Sequence, residues 1–107
     1  MAFELDKTVE AGATQVKGRG PAGVPVMIVD ITLGGNVLGT GTIGSDGTFV
    51  VDLYSELESL HRIGLALANL AGTQWDEMDF RDERYFGSLA LNVPQVGFFY
   101  DTHFISE

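Results

Sequence analysis

Residues 45–53 read Ser45-Asp46-Gly47-Thr48-Phe49-Val50-Val51-Asp52-Leu53, and this stretch decides the fold class. Asp-Gly between two strand-like runs supplies the positive φ that a hairpin turn needs. The residues that follow alternate. Phe49, Val51 and Leu53 share one face while Val50 and Asp52 share the other, the two-residue period of a strand. Just upstream, residues 37–43 (Val-Leu-Gly-Thr-Gly-Thr-Ile) read as the preceding strand, and its glycines point to close backbone approach or a bulge. Gly34-Gly35-Asn36 fits a tight reversal before it. Residues 24–32 (Val-Pro-Val-Met-Ile-Val-Asp-Ile-Thr) are dense in β-branched side chains and too short for a convincing helix.

Further out, residues 13–19 read as an opening strand, closed by the turn Gly20-Pro21-Ala22-Gly23. Residues 54–60 break the pattern and suggest a helical turn with Leu53, Leu57 and Leu60 on one side. In residues 61–70, Ile63, Leu65 and Leu67 alternate with Gly64, Ala66 and Ala68. Strand is preferred there, because Gly64 weakens a helix. Residues 74–80 are expected as another strand, 81–84 as a charged connector, and 86–93 and 96–105 as two more strands. The last would carry Val96, Phe98, Tyr100, Thr102 and Phe104 on one face. Roughly six to eight short strands, with turn signals about every 8–12 residues, predict an all-β chain folded as an antiparallel two-sheet sandwich.

The chain has 107 residues, one domain's worth, so a single domain over 1–107 is expected. Six basic residues stand against 15 acidic ones, for a net charge of −9. The clustered Lys and Arg that grip a phosphate backbone are absent, which argues against nucleic acid as a partner. With no cysteine, disulfides, thiolate metal sites and thiol nucleophiles are excluded together. No run reaches the ~18 apolar residues of a membrane helix, so membrane insertion is not expected.

Residues 16–73 resemble a bacterial Ig-like module of the kind strung along surface and secreted proteins. The segments that carry the resemblance are Val16-Lys-Gly-Arg-Gly-Pro-Ala-Gly23, Val24-Pro-Val-Met-Ile-Val-Asp30 and Val37-Leu-Gly-Thr-Gly-Thr-Ile43. Ser45-Asp-Gly-Thr-Phe-Val-Val-Asp-Leu53 and Ile63-Gly-Leu-Ala-Leu-Ala-Asn-Leu-Ala-Gly72 complete it. Carboxypeptidase-regulatory-like and transthyretin-like sandwiches share some of these features. The resemblance implies an Ig-like sandwich outside the cytoplasm, on the cell surface or secreted, that acts as a spacer, adhesion or assembly unit of a larger exported protein. It carries over no catalytic residue. Residues 74–107 extend past the resemblance as an additional C-terminal β segment rich in aromatics.

Asp76, Glu77, Asp79, Asp82 and Glu83 form the densest acidic cluster. They are the candidate Ca²⁺ ligands, although no Asp-x-Asp-x-Asp-Gly loop is present and a solvated edge is the plainer reading. Asp30, Asp46 and Asp52 invite a carboxylate pair for hydrolysis, but Asp46 is explained by its turn and Asp52 by an outward strand position, so none is assigned. His61 and His103 lie in no close ligand pair, and His61 is expected to cap the start of a strand. No serine sits in a nucleophile elbow. No catalytic residue, no cofactor and no metal site is therefore expected. The alternative to a non-catalytic protein-contact module is a sandwich that binds carbohydrate or Ca²⁺. Trp75, Tyr85 and Tyr100 near the acidic residues motivate it.

Residues 24–31 are apolar on both faces, with Val24, Val26 and Ile28 opposed to Met27, Val29 and Ile31. A two-layer sandwich buries one face of each sheet, so the second face requires a cover. The C-terminal extension folding back is one such cover. A neighbouring protein domain or a second copy of the chain is the other, with Trp75, Phe98, Phe99, Tyr100 and Phe104 as the contact candidates.

Overall fold

The computed structural model describes residues 2–106; Met1 and Glu107, the ends of the expected 1–107 unit, lie outside the described residues. The chain is all-β. Among the described residues nine strands occur in the order β1 (Glu4–Leu5), β2 (Gln15–Arg19), β3 (Pro25–Asp30), β4 (Asn36–Thr42), β5 (Thr48–Asp52), β6 (Arg62–Leu67), β7 (Leu91–Val93), β8 (Gly97–Phe99) and β9 (Asp101–Phe104). They form a three-stranded sheet β1-β2-β5, a four-stranded sheet β4-β3-β6-β9 and a separate hairpin β7-β8. All pairings are antiparallel. The two larger sheets face each other as an Ig-like sandwich, and the C-terminal extension supplies β7, β8 and β9.

The alternation read around residue 49 is the packing observed. Phe49 and Val51 are buried and Val50 is exposed. Val16, Val24, Val26, Ile28, Ile63 and Leu65 meet them between the sheets. Gly47 takes φ +82°, and the Asp46 carboxylate accepts hydrogen bonds from the Thr48 amide and hydroxyl at 3.0 and 2.8 Å. The turn is as expected, but the hairpin is not. β4 pairs with β3 and β5 pairs with β2, so Asp46-Gly47 carries the chain from one sheet across to the other. Gly39 explains how these consecutive strands lie face to face: a Cβ there would meet the Asp52 carbonyl oxygen at 2.5 Å. β4 also contains a bulge. Ile28 pairs with Gly39 but Val29 pairs with Val37, which leaves Leu38 as the extra residue.

Four further expectations are corrected. Residues 74–80 are not a strand: Glu77–Phe80 is a turn of 3₁₀ helix. Asp76 accepts from its first turn while Asp79 accepts from the Asp76 amide, and these local bonds replace a sheet ladder. Residues 54–60 hold no helical turn. Leu57 is buried while Leu60 is exposed, in a left-handed conformation with φ +65°. Residues 96–105 are two strands, not one. The break falls at Tyr100, whose amide donates to the Leu65 carbonyl at 2.8 Å. Before it, β8 pairs with β7; after it, β9 pairs with β6. Of the expected strand 86–93, only Leu91–Val93 is in a sheet.

The doubly apolar β3 is covered by the chain itself. Val24, Val26 and Ile28 face the inter-sheet core, whereas Val29 joins Ala66 and Phe99 in a second cluster flanked by Met27, Ile31, Val93 and Val96. The β7-β8 hairpin thus folds back over the outer face of the four-stranded sheet.

Candidate functional site

Asp101 opens β9, and its side chain is fully buried. A lone carboxylate in that position requires partners. It has four: the amides of Leu5 (2.8 Å), Leu89 (3.1 Å) and Thr102 (3.0 Å), and the Lys7 ammonium. Lys7 also donates to the Thr102 carbonyl at 3.0 Å. One side chain therefore ties the edge of the three-stranded sheet, the edge of the four-stranded sheet and the segment before β7. Neither Asp101 nor Lys7 belongs to any motif of the sequence. The available signal was a single acid inside the aromatic run 98–104.

Phe3, Phe80, Tyr85 and Tyr100 close the same edge. The Phe3 ring lies 4.6 Å from Tyr100 and 5.6 Å from Phe80, and Phe80 lies 5.2 Å from Tyr85. Burial raises the Tyr100 phenol above its ordinary pKa. Among the five aromatic contact candidates, Phe99 and Tyr100 are each 2% exposed, which withdraws them from any surface. Trp75 and Phe98 are half-buried against the core, and the Trp75 indole lies 3.4 Å from the Gly23 carbonyl oxygen. Phe104 is 44% exposed, with the Arg62 guanidinium 5.7 Å from its ring centre.

The five acidic candidates are exposed and bonded locally rather than convergent. Asp76 and Asp79 cap the first 3₁₀ turn, and Asp82 accepts from the Arg84 amide at 3.0 Å to cap the second, Glu83–Tyr85. Glu77 pairs with Arg81 at 2.7 Å. Glu83 lies in the first turn of the second 3₁₀ segment.

A different group does converge. Among the described residues, Asp30, Glu58 and His61 bring three potential ligand atoms within 4.8 Å of one another. Asp30 ends β3 and is 3% exposed; its Oδ1 accepts from the Leu33 amide at 3.1 Å. Its Oδ2 lies 2.8 Å from His61 Nδ1, and Glu58 Oε2 approaches the same nitrogen at 3.3 Å. The hydrogen bond to Asp30 raises the His61 pKa above its ordinary value. Desolvation opposes this, and the Asp30 and Glu58 charges add to the rise. A cleft of about 440 Å³ adjoins the group, lined also by Leu33, Asn36, Leu38 and Ile63. His61 does precede β6 directly, as expected of a residue at a strand start, but its ring carries this second arrangement.

Comparison with curated proteins and with solved structures gave no match in either case. A family model for the bacterial Ig domain matches residues 4–81, which takes in β1 through β6 and the first 3₁₀ turn. The match begins before the segment that carries the sequence resemblance and runs beyond it, and it agrees with the observed sandwich. The chain belongs to the bacterial Ig domain family.

Proposed function

We propose that this chain is a non-catalytic structural and protein-contact module of a bacterial surface or secreted protein. The observation that carries the proposal is the family match over both sheets of the sandwich. The site chemistry supports it: the buried carboxylate of Asp101 and the caps Asp76 and Asp82 all hold segments of the chain together. No helix among the described residues is long and apolar enough to cross a membrane. The partner is a neighbouring protein domain or a second copy of the chain, and nucleic acid is disfavoured by the net charge of −9. Phe104 with Arg62, beside exposed Leu60, offers the aromatic and cationic side chains that contact surfaces favour. The carbohydrate reading draws no support from Trp75, Tyr85 and Tyr100, whose rings pack on the core rather than forming one open platform.

Fractionation of producing cells, with protease treatment of intact ones, tests the proposal. The protein should appear outside the cytoplasm and be cleaved from intact cells. Recovery in the cytosolic fraction alone overturns it.

A further inference from the structure

We propose that Asp30, Glu58 and His61 form a binding site for one divalent transition-metal ion of the zinc class, with coordination completed from the adjoining cleft. This goes beyond the reading as a structural module and does not rest on it. An imidazole nitrogen with two carboxylates is a mixed donor set of the kind that suits zinc-like ions. Ca²⁺ takes six to eight oxygens and does not seek nitrogen.

The spacing fits. Metal–ligand bonds of about 2.0–2.1 Å in a tetrahedron place ligand atoms about 3.3 Å apart. His61 Nδ1 already lies 3.3 Å from Glu58 Oε2 and 2.8 Å from Asp30 Oδ2. All three atoms fall within 4.8 Å, so the widest pair closes by at most about 1.5 Å. Glu58 can supply that movement, because its side chain is 64% exposed. The other two ligands are held by the fold. Asp30 is buried at the end of β3 and fixed by the Leu33 amide, and the His61 carbonyl accepts from Ile105 at 2.8 Å. Three ligands from the protein, with a cleft on the open side, leave room for water or a partner's side chain at the remaining position. The acidic residues 76–83 make no comparable site, since Asp76, Asp79 and Asp82 accept from backbone amides and Glu77 pairs with Arg81.

The test is calorimetric titration of the full chain, treated first with chelator, with Zn²⁺ and separately with Ca²⁺. One Zn²⁺ per chain is expected, and no Ca²⁺ heat at the same concentrations. Glu58→Gln and His61→Ala should each weaken Zn²⁺ binding by at least about tenfold, while His103→Ala leaves it unchanged. A Zn²⁺-dependent shift of the His61 Nδ1 resonance reads the same event without any substitution. Should His61→Ala unfold, Glu58→Gln and the resonance shift decide, because Glu58 is exposed and its loss leaves the core intact. No Zn²⁺ binding, wild-type affinity in Glu58→Gln with an unmoved His61 resonance, loss of binding in His103→Ala, or equal affinity for Ca²⁺ would each overturn the assignment.

Discussion

The Asp101 carboxylate accepts the backbone N–H of Leu5 at 2.8 Å, across 96 positions of sequence. The bond fastens the first strand of one sheet to the last strand of the other. Replacing Asp101 by Ala removes the acceptor of the Leu5, Leu89 and Thr102 amides and leaves Lys7 with the Thr102 carbonyl alone. The Lys7 side chain is 34% exposed and can turn to water, so the cost lies in the stranded amides, about 1–3 kcal/mol. Urea denaturation of Asp101→Ala should show a fall of that size with an unchanged slope. A loss below about 1 kcal/mol would mean that water replaces the carboxylate and that the tie is incidental.

Phe99 anchors the β7-β8 hairpin on the outer face of the four-stranded sheet, with its ring against Gly64. Phe99→Ala should destabilise the chain by about 3–5 kcal/mol, from lost burial and the cavity left behind. It should also expose Met27, Val29 and Ile31, so binding of a hydrophobic dye is expected to rise. An unchanged melting temperature with no added dye fluorescence would show that the hairpin is not needed as a cover.

Gly39→Ala probes the crossing between the sheets. The new methyl would lie 2.5 Å from the Asp52 carbonyl oxygen and 2.9 Å from Val51 Cγ1. β4 and β5 must then separate, at a cost of about 1–3 kcal/mol. Chemical denaturation measures it, and a neutral result would mean that the bulge at Leu38 absorbs the displacement.

His61 makes stability depend on pH. Its folded pKa is raised above the unfolded value of about 6.5, first by the Asp30 hydrogen bond, with the Asp30 and Glu58 charges adding. The folded state therefore holds the proton more tightly than the unfolded chain. The resulting stabilisation is complete below about pH 6.5 and is lost as pH rises through the folded pKa. In chelator, the thermal midpoint should fall on going from mildly acidic to mildly alkaline solution, and His61→Gln should flatten that dependence. Parallel profiles for both proteins would sink the prediction.

Alternation made the central strands legible. Phe49, Val51, Ile63 and Leu65 lie inward as their period required, and Gly39 and Gly41 of β4 give the close approach, with the bulge beside them at Leu38. Pairing was less legible. Asp46-Gly47 specifies a turn, but a turn does not state whether the next strand stays in its sheet. β1 was missed because two residues carry no period; it exists through its ladder with β2 and the Asp101 side chain. In residues 74–80 the carboxylates of Asp76 and Asp79 compete with ladder bonds, a local effect that alternation does not register. The apolar outer face of β3 did announce that a cover was required, and the C-terminal hairpin provides it. The Asp30–Glu58–His61 group was not legible because Asp30 joins the other two only through the β3–β6 ladder, which sets it opposite Ile63, while Glu58 and His61 lie three residues apart before β6.

The joined edge also has a mechanical meaning. Leu5 and Lys7 follow one another beside Asp101 and Thr102, so the first and last strands of the sandwich run in the same direction there. Phe3 sits against Tyr100 at one end of β9, and Ile105 reaches His61 at the other. Tension applied between Phe3 and Ile105 slides the two strands lengthwise instead of peeling them apart. The Asp101 contacts and the Glu4–Arg19 pairing then resist together, and pulling experiments should find a lower rupture force once Asp101 is replaced by Asn.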